Sequence, residues 1–144
     1  MNILFVCTGN TCRSPMAEGF FNNYSNNSKS SSAGISVMPG SVVSVFSVES
    51  LKEYSIDISD HIPVQVNSIM LNDCDMVLTM TLSHQKYLRA FYPEYANKIF
   101  SISEYTGCKD ISDPYGGDIN TYKKCASEIK NAVDMLIERI KQND

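Results

Sequence analysis

Long apolar runs are missing from this chain. No stretch of about 18 consecutive apolar residues occurs, so the sequence offers nothing to span a membrane. The apolar stretch near the start is too short for a signal peptide and lacks a basic lead. Histidine is scarce, with two in the chain, and the five cysteines are scattered, so no spacing suggests a metal-ligand cluster. An odd number of irregularly spaced cysteines is also a poor disulfide frame, and reduced thiols in the cytoplasm are the expectation. Basic residues are not in excess. A net charge of −4 argues against a general nucleic-acid binder. Internal repeats and domain linkers are absent too, and 144 residues fit one domain with a core of its own.

What is present is an alternation of strand-like and helix-like segments. Residues 2–6 read as a buried strand, because Ile3-Leu4-Phe5-Val6 is continuously apolar. Residues 14–24 read as a helix with Met16, Ala17, Phe20 and Phe21 on its apolar face. The Asn- and Ser-rich residues 22–32 read as a solvated loop, and residues 33–38 as a second strand. A helix is expected over 44–54, a short one within 63–72, a buried strand over 75–80, a helix from a Ser83 cap to residue 91, and a strand over 98–102. The last helix is the clearest. Tyr122, Cys125, Ala126, Ile129, Val133, Leu136 and Ile140 recur at helical spacing. This order implies an α/β fold, a parallel sheet with helices on both faces. Ligands on such sheets sit beyond the carboxyl ends of the strands.

One such end carries Cys7-Thr8-Gly9-Asn10-Thr11-Cys12-Arg13-Ser14. Ser14-Pro15 reads as the N-cap and first residue of the following helix. The loop therefore joins a strand end to a helix N-terminus, where backbone N–H groups can turn around an anion. Gly9 allows close backbone approach, and Asn10 tolerates a left-handed conformation. Arg13 offers a two-pronged grip on phosphate oxygens. In that field Cys7 is suited to act as a thiolate nucleophile. The plainer alternative is a strand-to-helix turn with an incidental buried cysteine.

The stretch Val6-Cys7-Thr8-Gly9-Asn10-Thr11-Cys12-Arg13-Ser14-Pro15-Met16-Ala17-Glu18 closely resembles the low-molecular-weight protein tyrosine phosphatases. Asp113-Pro114-Tyr115-Gly116-Gly117 resembles their general-acid loop, and smaller matches fall in order between the two. Thr11 together with Tyr115-Gly116-Gly117 is similar to a bacterial branch of protein-arginine phosphatases. The resemblance implies a three-layer, four-stranded, flavodoxin-like sheet of the phosphotyrosine protein phosphatase I type.

It also implies roles. Cys7 would attack phosphorus and form a phosphocysteine, Arg13 and the loop amides of residues 8–12 would hold the phosphoryl group, and Ser14 would hydrogen-bond the sulfur. Asn10 would brace the loop, with Ser32 in the same network. Asp113 would protonate the leaving group and then activate water, and Tyr115 would wall the pocket. A departing phenol has a pKa of about 10 and a guanidine of at least about 12, so neither leaves readily unprotonated. Read from the residues alone, a solvated turn aspartate is the favoured reading of Asp113, while Asp110 and Asp118 are rival acids, and Asp118 is also a partner for a positive substrate group. Cys12 is either a small buried residue or the partner of Cys7 in a reversible disulfide. His61 is expected to organise structure and His84 to be exposed.

Thr11 bears on substrate. Tyrosine phosphatases of the family usually carry an aliphatic residue there, whereas a hydroxyl gives a guanidinium a polar partner. Gly116 stands where many tyrosine-specific relatives place a second aromatic. The expectation is a monomeric, metal- and cofactor-free phosphatase of phosphoarginine in proteins. A tyrosine phosphatase with the same mechanism is the alternative. An arsenate reductase would need a relay of further cysteines after the third strand, and a phosphate-binding module would need neither Cys7 nor Asp113.

Overall fold

A computed structural model describes residues 1–143. Four strands, β1 (Asn2–Cys7), β2 (Lys29–Gly34), β3 (Met76–Thr79) and β4 (Ile99–Ser101), form one all-parallel sheet in the order β2-β1-β3-β4. The order reverses beside β1, so the crevice at its carboxyl end is where such sheets place ligands. The helices are α1 (Arg13–Tyr24), α2 (Val45–Lys52), α3 (Ser68–Asp73), α4 (Leu82–Phe91), α5 (Ile102–Thr106) and α6 (Ile119–Gln142).

Side-chain alternation along β1 builds two cores. Ile3, Phe5 and Cys7 join Met16, Phe20 and Phe21 of α1 and the buried stripe of α6. Leu4 and Val6 point the other way, into a second core with Leu71 of α3 and Leu88 of α4. Phe5 and Phe21 meet edge to face at 5.8 Å. Both are fully buried, which contributes roughly 1.5–3 kcal/mol for each ring. Asp118 caps α6 by accepting from the backbone N–H of Thr121 at 3.0 Å. Among the described residues no helix is long and apolar enough to cross a membrane.

The α/β architecture agrees with the sequence reading, and several boundaries do not. The second strand occupies residues 29–34 rather than 33–38, with Asn2 opposite Lys29 and Cys7 opposite Gly34. Lys-Ser-Ser-Ser-Ala-Gly has little intrinsic strand character. It is held by backbone pairing to the apolar β1, and tertiary context overrides its composition. Asn22 further pins the segment, accepting from the Ser30 backbone N–H at 2.8 Å. The cap of α4 is Thr81 rather than Ser83: its hydroxyl accepts from the His84 backbone N–H at 3.2 Å. A 3₁₀ turn at Pro93–Lys98 and the short α5 are additions. In α5, Ser101 and Glu104 form a capping box.

Candidate active site

The backbone of residues 7–13 leaves β1 and enters α1 around a cavity of about 450 Å³. Cys7, Thr8, Gly9, Thr11, Cys12 and Arg13 line it, and Asp113 and Tyr115 close it from the loop before α6. Residues 106 positions apart in sequence thus share one opening, because both segments leave the carboxyl side of the sheet.

Asn10 is the strut of this loop. It is fully buried and adopts the left-handed region, with φ 57°. Its amide nitrogen donates to Ser14 Oγ at 2.8 Å and to Ser32 Oγ at 3.0 Å. Its amide oxygen accepts from the Val64 N–H at 2.9 Å and lies 3.1 Å from His61 Nε2. All four hydrogen-bonding positions of the amide are occupied. Ser32 continues the chain by donating to Glu18 Oε1 at 2.6 Å, and His61 Nδ1 lies 3.9 Å from the same carboxylate oxygen. The geometry joins Asn10, Ser32 and His61 in one hydrogen-bonded network.

Ser14 does not cap α1. The helix begins at Arg13, its N-cap position is Cys12 without a side-chain cap, and Ser14 lies in the first turn with its hydroxyl engaged in the loop. Ser14 Oγ sits 2.8 Å from Cys7 Sγ while accepting from Asn10. The Ser14 proton has two acceptors in reach, the Cys7 sulfur and the Ala33 carbonyl oxygen at 3.5 Å.

Arg13 is buried, with Nη1 donating to the Ile111 carbonyl at 3.1 Å and Nη2 3.7 Å from Asp113 Oδ2. Asp113 is exposed, and its Oδ1 accepts from the Tyr115 N–H at 3.1 Å. Of the three candidate carboxylates only Asp113 lines the cavity. Asp110 is engaged by the Leu82 N–H and by the Ser103 hydroxyl, the latter at 2.8 Å. Asp118 holds the start of α6, and the hydrogen bonds from Thr121 pull its pKa below the usual carboxylate range. A carboxyl held in that way is a poor proton donor near neutrality.

Tyr115 is highly exposed at the rim of the cavity, and Gly116 beside it has φ 82°. Cys12 is buried, with its sulfur 3.5 Å from both Thr11 Oγ1 and Tyr122 Oη. Burial and then the Cys12 hydrogen bond raise the Tyr122 phenol to about 12. All five cysteines are free thiols. Among the described residues no three metal-ligating side chains lie together.

Three features escaped the sequence. His84 is buried rather than exposed, its Nε2 lying 2.9 Å from Thr8 Oγ1. Gly34 underlies the loop: a Cβ there would stand 2.6 Å from the Thr8 carbonyl oxygen, so only glycine fits. Ser36, Met38 and Ser41 line the cavity, which follows from β2 ending at Gly34 and freeing these residues as a loop.

Comparisons with known proteins agree with this geometry. A family model described as low molecular weight phosphotyrosine protein phosphatase matches residues 2–144. A protein-arginine-phosphatase of Bacillus subtilis is 35% identical over 149 aligned residues, covering 99% of both chains. The crystal structure of a low molecular weight protein tyrosine phosphatase from T. tengcongensis superposes with a TM-score of 0.93 at 48% identity, covering 96% of this chain and 99% of that one. A mutant of the arginine phosphatase YwlE with a phosphorylated active-site serine superposes equally well, TM-score 0.93 at 34% identity, over 98% and 96% of the two chains. A cysteine, a buried arginine and an exposed aspartate around one cavity, on this sheet and with this likeness over the full length, identify the chain as a member of the low molecular weight phosphotyrosine protein phosphatase family.

Proposed function

We propose that this chain hydrolyses phosphoarginine in phosphorylated proteins through a phosphocysteine intermediate. The loop amides and Arg13 hold the phosphoryl oxygens while Cys7 Sγ attacks phosphorus in line. The phosphorus–sulfur bond forms as the phosphorus–nitrogen bond breaks, and Asp113 gives its proton to the departing guanidine nitrogen. Asp113, now a carboxylate, takes a proton from water as the water oxygen attacks phosphorus. The phosphorus–sulfur bond breaks, phosphate leaves, and the Ser14 hydroxyl steadies the returning thiolate. Thr8, Gly9, Asn10, Thr11 and Cys12 shape the cradle, Ser32 supports it through Asn10, and Tyr115 flanks the substrate. The YwlE variant with a phosphorylated active-site serine supports a covalent phosphoenzyme on the equivalent loop.

Thr11 carries the substrate reading. Thr11 lines the same cavity as Cys7, where the N–H groups of a guanidine need acceptors and an aliphatic side chain would leave them unpaired. Gly116 adds no second ring opposite Tyr115. The 35% identity to a protein-arginine-phosphatase points the same way. Tyrosine phosphatase activity is the second reading, favoured by the 48% identity to a relative of that name and by the exposed ring of Tyr115 at the cavity.

Five free thiols suit a reducing compartment, and we infer a cytoplasmic enzyme acting as a single phosphatase domain. Cys12 is placed in the same loop as Cys7 and is inferred to trap it as a disulfide under oxidant. Turnover of a phosphoarginine protein and of a phosphotyrosine peptide, measured side by side, tests the reading. Faster phosphoarginine turnover that vanishes in Cys7→Ser supports it. The opposite preference leaves the mechanism and removes the substrate.

A further inference from the structure

His84 takes no part in the steps above, yet its buried imidazole ties the start of α4 to the phosphate loop. Nε2 lies 2.9 Å from Thr8 Oγ1, and Nδ1 lies 3.0 Å from Thr81 Oγ1. Thr81 Oγ1 already accepts from the His84 backbone N–H as the cap of its helix. Among the described residues Nδ1 is the other group hydrogen-bonded to this hydroxyl, and can take its proton. A neutral imidazole that accepts at Nδ1 carries its proton at Nε2. In that tautomer Nε2–H donates to Thr8 Oγ1, a hydroxyl for which His84 is the hydrogen-bond partner among the described residues. The Thr8 proton is left free, on a residue that lines the cavity.

We propose that His84 is a positioning residue: as the Nε2–H tautomer it occupies a lone pair of Thr8 and turns the Thr8 hydroxyl proton toward the phosphoryl oxygens held by the loop. The charged groups facing the ring are Arg13, Asp113 and Asp110. Burial and then the Arg13 charge lower its pKa to about 4, against the pull of the two carboxylates, so the ring is neutral at ordinary pH. A protonated ring would donate at both nitrogens, so Thr81 Oγ1 would have to accept from Nδ1 instead of donating to it. The proposal rests on phosphate occupying the cavity, and not on which phosphorylated side chain delivers it.

Two measurements test it. Long-range ¹⁵N–¹H spectra of the wild-type protein near neutral pH read the tautomer directly. The Nε2–H form is expected, and an Nδ1–H form overturns the proposal, because Thr8 would then have to donate to the ring. Inorganic phosphate as a competitive inhibitor of an aryl phosphate substrate reads the loop. His84→Leu and Thr8→Val are each expected to weaken phosphate binding about tenfold, the scale of one hydrogen bond to a charged group. The double variant should be no weaker than either single one, because both changes remove the same bond. His84→Gln, which keeps an N–H donor toward Thr8, should recover most of the loss. Additive losses, or phosphate binding unchanged in His84→Leu, overturn the proposal. If His84→Leu fails to fold, the tautomer and the Thr8→Val and His84→Gln comparison still decide. A phosphotyrosine preference would remove the substrate reading and leave these results untouched.

Discussion

Asp113 Oδ2 lies 3.7 Å from Arg13 Nη2, so the group assigned as proton donor touches the group assigned as phosphate clamp. Arg13 is buried but Asp113 is well exposed, and an ion pair with one solvated partner at this distance contributes little to stability. Its consequence is positional: a phosphoryl group drawn to Arg13 arrives within reach of the acid.

Asp113→Asn is therefore expected to lower turnover by about 10²- to 10⁴-fold, the range of a lost general acid, with little change in melting temperature. The loss should be smallest for phosphates with good leaving groups, which depart without a proton. Steady-state rates across a series of aryl phosphates check this. An equal loss across the series would mean that Asp113 is not the donor.

Asn10→Ala removes four side-chain hydrogen bonds and puts an alanine at φ 57°. A stability loss of about 2–4 kcal/mol is expected, because buried partners are left unsatisfied in a network. Urea denaturation measures it, and phosphate affinity should fall in the same variant. Full stability with full affinity would show that the loop does not depend on this strut.

How far the sequence could be read follows from how local each signal is. The β1 run and the Cys7–Ser14 loop are contiguous, and α6 repeats its apolar spacing over 24 residues, so both were legible. The β2 serines carry no such pattern and become a strand only because β1 lies beside them. His84 reads as a surface residue of a first helical turn, since the partner that buries it is Thr8, 76 positions away. Ser14 had the residue type of a cap, but its hydroxyl is drawn to a sulfur and an amide by a loop that closes behind it. Three nearby aspartates were chemically equivalent on paper. Only the fold shows that Asp113 lines the cavity while Asp110 and Asp118 hold the starts of α4 and α6.

The neutral His84 makes stability depend on pH in a defined direction. Its pKa falls from the ordinary 6.5 to about 4 on folding. Between these values the unfolded chain binds the proton and the folded chain does not, so stability declines as pH drops through this window and is level above it. His84→Gln should flatten the decline. Urea midpoints of the two proteins across the window measure the difference, and parallel curves would contradict a depressed pKa.

Cys12 has a separate signature. Mild peroxide treatment of the wild type should stop turnover and be reversed by a thiol reductant, with an intact-mass change corresponding to one disulfide. Cys12→Ser should lose activity irreversibly, as Cys7 climbs the oxidation ladder without a partner. Equal recovery of both proteins would remove Cys12 from any protective role.

The central claim is that a hydroxyl at position 11 fits the pocket to a guanidine. The ratio of kcat/KM for a phosphoarginine protein to that for a phosphotyrosine peptide, compared between wild type and Thr11→Ile, tests it most directly. The account predicts a ratio above one in the wild type and a fall of roughly tenfold or more in the variant, as expected when substrate N–H groups lose their acceptor. A ratio below one, or a ratio indifferent to Thr11→Ile, would contradict it.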